Sequence, residues 1–297
     1  MNIINEIEKL NIGEVISNIN LRDYTTYKLE GKALCVVIPD DINGLIRLLK
    51  FLREKNIKHK ILGNGSNLIF SNYYDGVLIK LDSFQNLEIV GNRIVVGAGY
   101  SLMKLALRVS RQGLTGLEFA TGIPGTIGGA VYMNAGAYKS DMGYVVSSVK
   151  VLNPDLEVEI LENKELDFHY RTSFLQTHPD YICLEATIFL SKGNVSEIME
   201  VINERKQRRL ETQPLEYPSA GSVFRNPEGD FAGRLIESIG YKGKGVGDAM
   251  VSNKHANFII NKGHASGEDI KKLIDDIKFK VNEEYNIDLK VEQEFVE

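Results

Sequence analysis

Apolar and polar positions divide the chain into two regions that differ in their predicted elements. Before about residue 195, short apolar runs such as LCVVIP (34–39), VLIKLD (77–82) and YICLEATIFL (181–190) predict buried strands. Beyond that point, long polar helices are predicted at 195–210 and 266–285, and IDLKVEQEFV (287–296) is predicted as a closing strand. A boundary near residue 195 therefore separates a larger β-rich part from a smaller α+β part.

Local signals mark where individual helices begin. Asp41 is expected to cap a helix whose apolar side chains recur at helical spacing, namely Ile42, Leu45, Ile46, Leu49 and Leu52. Ser266 and Asp269 have the spacing of a capping box, so a helix is predicted to begin there. Both signals depend only on residues close together in the chain.

Composition and charge exclude several classes of protein. The net charge of −5 gives no basic field for nucleic acid, and no apolar run reaches the length of about 18 residues that a membrane span needs. The amino terminus is acidic and polar, unlike a signal peptide. Cys35 and Cys183 lie in apolar runs, which predicts buried free thiols in a reducing cytoplasm and no zinc site.

Two glycine-dense stretches are the strongest candidates for chemistry. LGNGSNLIF (62–70) lies between two predicted strands, where its amide groups would serve equally well as a phosphate-binding nest or as an ordinary hairpin turn. GIPGTIGGAVYMNAGAY (122–138) has neither a helical nor a strand period. Its small residues indicate either turn geometry or a large group lying against the bare backbone. Taken together, the two stretches suit a long ligand with a charged centre, such as a dinucleotide cofactor.

Five motifs together resemble a known enzyme family. LGNGSNLI, GLEFATGIPGTIGGAVYMNAGAY, FHYRTS (168–173), PSAGSVFRNP (218–227) and LKVEQEF (289–295) follow in the order and spacing of the UDP-N-acetylenolpyruvoylglucosamine reductase family. The resemblance covers the chain from about Leu21 to its end. It is closest to the shorter, type II subtype, which lacks an extra tyrosine-bearing loop.

The resemblance implies an α+β fold in three parts. A helical lead-in would occupy 1–20, and an FAD-binding domain of the p-cresol-methylhydroxylase type would occupy 21–194 as two α+β subdomains split near residue 90. A smaller α+β substrate-binding domain would occupy 195–297. The implied FAD is non-covalent, because neither glycine loop contains a His or Cys. Its contacts would be Leu62, Gly63, Asn64, Gly65, Ser66, Asn67, Leu68, Gly122, Pro124, Gly125, Thr126, Gly128, Gly129, Ala135, Tyr138, Ile182 and Arg209.

The implied reaction is the NADPH-dependent, FAD-mediated reduction of UDP-N-acetylglucosamine enolpyruvate to UDP-N-acetylmuramate in bacterial peptidoglycan precursor synthesis. By resemblance, Arg171 binds the substrate carboxylate, Ser222 donates a proton and Glu292 helps to polarise the carboxylate. The residues alone favour plainer interpretations, namely a surface ion pair, a turn serine and a solvated glutamate on an edge strand. Substrate contacts would be Tyr170, Arg225, Asn226 and His255.

The resemblance also implies a monomer that binds the sugar nucleotide and NADPH. Composition, charge and cysteine usage add the expectation of a cytoplasmic protein with no metal, nucleic-acid partner or membrane span. Two alternatives stay open, namely a flavin oxidase of the same fold and a flavin-binding module without turnover. Three positions depart from the family pattern, one of which is Asn64, since the first glycine loop reads GNG where GGG is frequent. Glu294 stands where many members have an arginine, and Lys139 stands where glycine is common.

Overall fold

The protein is described by a computed structural model that covers residues 3–297, so the first two residues of the predicted lead-in lie outside it. Its helices are α1 Ile3–Glu8, α2 Ile42–Glu54, α3 Leu102–Ser110, α4 Ile127–Tyr132, α5 Phe174–Thr177, α6 Val195–Thr212, α7 Ala232–Ser238 and α8 Gly267–Tyr285. Its first nine strands are β1 Gly13–Ile16, β2 Lys32–Pro39, β3 Lys58–Leu62, β4 Leu68–Phe70, β5 Tyr73–Lys80, β6 Leu87–Val90, β7 Arg93–Gly97, β8 Leu114–Thr115 and β9 Gly136–Ala137. The remaining strands are β10 Ser140–Asp141, β11 Val146–Leu152, β12 Val158–Glu162, β13 Ile182–Phe189, β14 Ser191–Lys192, β15 Gly245–Val246, β16 Ala249–Val251, β17 Ile259–Asn261 and β18 Glu294–Val296.

The chain forms two compact units, and each is assembled from three separate stretches of sequence. The first unit contains the residues up to Ser17 together with Cys35–Asn64 and Val77–Gln207. The second contains Asn18–Leu34, Gly65–Gly76 and Arg208–Glu297. The domain boundaries expected at residues 20, 90 and 195 stay predictions.

The first unit is built on two larger sheets, and every strand pair of the five-stranded sheet is antiparallel. One sheet has five strands in the order β12-β11-β13-β7-β6, and another has four in the order β1-β2-β5-β3. Short pairs β9–β10 and β8–β14 complete it. Cys35 and Cys183 are free and buried as predicted, and burial raises the pKa of their thiols to about 11 and about 12.

The second unit packs α7 and α8 over small sheets. Strands β15, β16 and β17 form one antiparallel sheet, and β18 pairs in parallel with β4. Its core contains the buried side chains Tyr27, Ile69, Val223, Phe224, Leu235, Ile274 and Leu289, among others. Burying such apolar surface is the main stabilising contribution to a unit of this size.

Both predicted helix caps are confirmed. The Asp41 carboxylate accepts a hydrogen bond from the Gly44 N–H at 2.7 Å and begins α2. Ser266 and Asp269 form a complete capping box, with bonds of 3.1 and 3.0 Å between each side chain and the other's backbone N–H. Among residues 3–297, no helix has both the length and the apolar character of a membrane span.

One expectation about secondary structure is wrong, and one helix lies in a stretch whose pattern did not predict it. The closing strand, predicted over 287–296, is confined to Glu294–Val296. The glycine-rich stretch 122–138, which has no helical period, contains the six-residue helix α4. Thr126 caps this helix by accepting from the Gly129 N–H at 3.3 Å, so a cap and packing override the low helix propensity of glycine.

Candidate active site

The first glycine loop joins β3 to β4 and leaves a run of amide groups unused. Within the described chain, the backbone N–H groups of Asn64, Gly65 and Ser66 donate to no protein acceptor. The loop needs glycine at residue 65, where φ is +60° and a Cβ would lie 2.2 Å from the Tyr24 carbonyl oxygen. Successive free N–H groups form a concave donor surface that suits an anion such as a diphosphate.

The two glycine stretches meet in the first unit. The Asn64 side-chain amide donates to the Pro124 carbonyl at 3.2 Å, and a Cβ at Gly63 would lie 2.8 Å from the Thr126 hydroxyl oxygen. These contacts join residues about sixty positions apart. The structure therefore brings together the two stretches that the sequence assigned to one ligand.

The glycines of the second stretch serve two different purposes. A Cβ at Gly128 would lie 3.1 Å from the Ala98 Cβ, so this glycine lets α4 pack closely against the end of β7. At Gly125 the nearest atom would be 4.0 Å away, and at Gly129 the nearest is the Thr126 hydroxyl oxygen at 3.4 Å. Helix packing and open backbone thus both account for the small residues.

The other residues assigned to FAD differ in their exposure. Leu62 and Ile182 are buried at the end of β3 and the start of β13. Tyr138 is 38% exposed, has φ of +56° and lies under the Arg205 guanidinium, whose central carbon is 4.6 Å from the ring centre. Arg209 lies in the last turn of α6. The Ala135 N–H donates to the Ala130 carbonyl at 2.8 Å, which anchors the end of α4.

Arg171 is positioned against the second glycine stretch. Its backbone is in the left-handed region with φ of +57°, and its guanidinium Nη2 donates to the Gly136 carbonyl at 2.7 Å. The guanidinium also lies 5.2 Å from the ring centre of Tyr170, which is 53% exposed. A backbone carbonyl thus orients the guanidinium, which goes beyond the surface ion pair favoured by the residue alone.

Ser222 and Glu292 are brought together in the second unit. Ser222 pairs with Phe258 in an isolated bridge, and the Glu292 N–H donates to the carbonyl of Val223 at 2.8 Å. Asn67, from the first glycine loop, donates through its side-chain amide to the Glu292 carbonyl at 3.0 Å. The Ser222 hydroxyl is half-buried and makes no hydrogen bond within the described chain. It is therefore available to a ligand.

The substrate-contact candidates of the second unit lie close to these two residues. The Arg225 N–H donates to the Lys290 carbonyl at 2.9 Å, so its segment runs beside the Glu292 segment. Asn226 accepts from the Ala232 N–H at 3.1 Å and holds the start of α7. Burial lowers the pKa of His255, whose Nδ1 accepts from the Asn257 N–H at 3.2 Å. Neutral His255 therefore carries its proton on Nε2.

Sequence reasoning missed Gln293. Its side chain is only 4% exposed although it stands between two glutamates, and its amide donates to the carbonyls that precede and include Ser222. The available signal was period-two alternation, which places residue 293 on the same strand face as Val291 and Phe295.

Comparisons with known proteins agree with this geometry. Residues 33–161 match a family model described as an FAD binding domain, and residues 213–296 match one described as UDP-N-acetylenolpyruvoylglucosamine reductase, C-terminal domain. The UDP-N-acetylenolpyruvoylglucosamine reductase of Anoxybacillus flavithermus is 45% identical over 98% of this chain and 97% of its own. The UDP-N-acetylenolpyruvoylglucosamine reductase of Bacillus subtilis is 41% identical over 99% of this chain and 98% of its own.

A solved structure is also similar over nearly the whole chain. The crystal structure of UDP-N-acetylenolpyruvylglucosamine reductase from Thermus caldophilus matches with a TM-score of 0.81 and 35% identity, covering 96% of this chain and 98% of that one. The predicted fold class, an α+β protein with a p-cresol-methylhydroxylase-type FAD-binding domain, is confirmed by this match and by the FAD binding domain model.

Proposed function

The chain belongs to the UDP-N-acetylenolpyruvoylglucosamine reductase family, and from that premise we propose how its own residues reduce the enolpyruvyl sugar nucleotide to UDP-N-acetylmuramate. The reaction provides a precursor of peptidoglycan. Bound FAD would supply the two-electron chemistry, taking reducing equivalents from NADPH and passing them to the substrate double bond. The chain must hold the cofactor, bind the substrate carboxylate and provide a proton.

The residues present fit a non-covalent FAD. The free N–H groups of Asn64, Gly65 and Ser66 would hold its diphosphate, and the backbone at Gly125 and Gly129 leaves room for a flat group. Neither loop contains a His or Cys that would attach the flavin covalently.

Arg171 would bind the substrate carboxylate. Adding electrons to the alkene places negative charge on the adjoining carboxylate, and a guanidinium stabilises that charge more as it grows. The hydrogen bond from Nη2 to the Gly136 carbonyl uses one guanidinium nitrogen and holds the group in place. The planar guanidinium matches the two oxygens of a carboxylate in geometry and in charge.

Ser222 would donate the proton that completes the reduction. Hydride addition to one alkene carbon would give an enolate, whose adjacent carbon is basic enough to take a proton from a hydroxyl held within hydrogen-bond reach. Glu292 would help to polarise the substrate carboxylate beside it. One observation carries the assignment: the Ser222 hydroxyl has no protein partner in the described chain. Its position beside Glu292, whose backbone N–H donates to the Val223 carbonyl, agrees with it.

The test separates the two half-reactions by stopped-flow spectroscopy. Ser222→Ala is expected to leave flavin bleaching by NADPH nearly unchanged and to slow flavin reoxidation by the sugar nucleotide by about 10²–10⁴-fold. Ser219→Ala, in the same turn, is the matched control and should alter neither rate. Equal slowing of both half-reactions by Ser222→Ala would contradict the assignment.

The same experiment distinguishes the alternatives. A flavin oxidase would be reoxidised by oxygen during turnover of an alcohol or sugar and would ignore NADPH. A binding module would retain FAD but would not be bleached. The monomeric state, the cytoplasmic location and the lack of a nucleic-acid partner stay predictions, and size-exclusion chromatography tests the first.

A further inference from the structure

A buried hydrogen-bond chain reaches the turn that carries Ser222. Tyr27 is fully buried, and its hydroxyl donates to the Gln293 Oε1 at 2.9 Å. The Gln293 Nε2 in turn donates towards three successive carbonyls, those of Ala220 at 3.1 Å, Gly221 at 3.4 Å and Ser222 at 3.3 Å. All five residues belong to the second unit.

The backbone bridge between Ser222 and Phe258 also holds this turn, but packing does not fix it at Gly221. Gly221 has φ of +76°, and no atom would lie within 4 Å of a Cβ placed there, so the turn is not wedged by packing at that point. Carbonyl groups that point inwards need a buried donor, and an amide is the neutral side chain that offers two N–H groups. Gln293 supplies that donor.

Tyr27, at the other end of this hydrogen-bond chain, is also held in place. The Asn261 side-chain amide donates to the carbonyls of Tyr27 and Lys28, at 3.0 and 3.2 Å. The Tyr27 hydroxyl therefore has a defined position from which to orient the Gln293 amide. Satisfied buried networks of this kind are rigid, since every member would lose a partner if one moved.

The backbone on each side of Gln293 is tied to the first glycine loop. The Asn67 amide donates to the Glu292 carbonyl at 3.0 Å, and the Glu294 N–H donates to the Asn67 carbonyl at 2.9 Å. The segment 292–294 thus bonds to Asn67 through its backbone, and it bonds to the Ser222 turn through the Gln293 side chain.

We propose that Gln293 is a positioning residue for the proton donor, and that Tyr27 acts through it. Gln293 fixes the backbone of the 220–222 turn and so places the Ser222 hydroxyl, while Tyr27 fixes which way the Gln293 amide faces. The proposal rests on the assignment of Ser222 as proton donor. Both side chains are buried, with Tyr27 0% and Gln293 4% exposed, so both would act through the turn.

The experiment compares Gln293→Met, which keeps length and apolar packing but removes both amide groups, with Tyr27→Phe, which removes only a hydroxyl. Gln293→Met is expected to slow reoxidation of the reduced flavin by the sugar nucleotide on the order of 10- to 100-fold, since small misplacement of a reacting group is costly. Tyr27→Phe is expected to slow it less, by about three- to tenfold. Bleaching by NADPH should stay within about twofold of wild type for both.

Two further readouts separate positioning from general loss of structure. The solvent deuterium isotope effect on reoxidation should be larger in Gln293→Met than in wild type, because a displaced donor slows the proton step in particular. In the double variant, Tyr27→Phe should add no further slowing, because its effect passes through the missing amide. Tyr241→Phe is the matched control, since Tyr241 is also buried in the second unit but donates to Asp276 at 2.7 Å. It should change neither rate.

The outcomes are decisive in both directions. The proposal would be overturned if Gln293→Met reoxidised at the wild-type rate or slowed both half-reactions equally. It would also be overturned if the slowing in the double variant equalled the product of the slowing in the two single variants. If Gln293→Met does not fold, wild-type reoxidation in Tyr27→Phe overturns it alone. Ser222→Ala, measured in parallel, tells the two assignments apart. Unchanged flavin reoxidation in Ser222→Ala would contradict the assignment of Ser222 as proton donor. Slow reoxidation in Ser222→Ala together with wild-type reoxidation in Gln293→Met would contradict only the positioning role of Gln293.

Discussion

Two adjacent glycines at the start of α4 allow a test of why the second glycine stretch is so poor in side chains. A Cβ at Gly129 would meet only the Thr126 hydroxyl oxygen at 3.4 Å, which is an ordinary contact. A Cβ at Gly128 would lie 3.1 Å from the Ala98 Cβ and 3.4 Å from its carbonyl oxygen. An added methyl group therefore has space at one position and is crowded at the other.

The expected effects of Gly129→Ala on folding and on cofactor binding have opposite signs. Alanine is favoured over glycine in a helix by roughly 0.5–1 kcal/mol, so the apoprotein should become more stable. For a chain of this size, that gain corresponds to a Tm increase of roughly 1–3 °C. If FAD lies along this backbone, the methyl group takes up space that the cofactor needs. The Kd for FAD should then rise on the order of tenfold, or about 1.4 kcal/mol.

The assay uses apoprotein from which the flavin has been removed. FAD affinity is measured by titrating the apoprotein and following flavin fluorescence, and Tm is measured by circular dichroism without cofactor. Gly128→Ala is the matched control, expected to lose about 1–3 kcal/mol of stability because Ala98 must move. An unchanged Kd together with a raised Tm in Gly129→Ala would refute the claim that α4 leaves its backbone bare for the cofactor.

Two further predictions concern stability. Gly65 and Gly91 both have φ close to +60°, at 60° and 62°, but a Cβ would lie 2.2 Å from the Tyr24 carbonyl oxygen at Gly65 and within 4 Å of nothing at Gly91. In urea unfolding, Gly91→Ala should lower the free energy of unfolding by about 1–2 kcal/mol, and Gly65→Ala should lower it by at least about twice as much. Equal losses of unfolding free energy in the two variants would contradict this prediction. Burial lowers the folded-state pKa of His255 below its usual 6.5, so the unfolded chain binds the proton more readily and stability is lost as pH falls below about 6.5. His255→Asn, which keeps an acceptor for the Asn257 N–H, should therefore lose less stability than wild type between about pH 7.5 and about pH 5.5, and an equal loss would exclude His255 as the cause.

Short-range signals in the chain were enough for the elements that depend on neighbours in sequence. Asp41 caps α2 and Ser266 opens α8, because each cap bonds to a backbone N–H three residues away. The apolar run at 34–39 forms most of β2 for the same reason, since alternation and burial are properties of a few adjacent residues. The motif order was likewise sufficient to recognise the family.

The contacts within the site join residues that are far apart in the chain, and no sequence pattern predicts those contacts. The helix α4 forms in a stretch without helical period because Thr126 caps it and Gly128 fits against Ala98. Which glycine packs and which stays open cannot be read from a run of glycines, since it depends on what the rest of the fold places beside each one.

The Tyr27–Gln293 hydrogen bond shows this most clearly, because it joins side chains 266 positions apart. Local propensity acts over a few residues, whereas the burial of a polar side chain and the choice of its partner are settled only when distant segments pack together. Patterns within the chain thus specified the helix caps, several of the strands and the family. Packing between distant segments decided the orientation of Arg171, the availability of the Ser222 hydroxyl and the support beneath it.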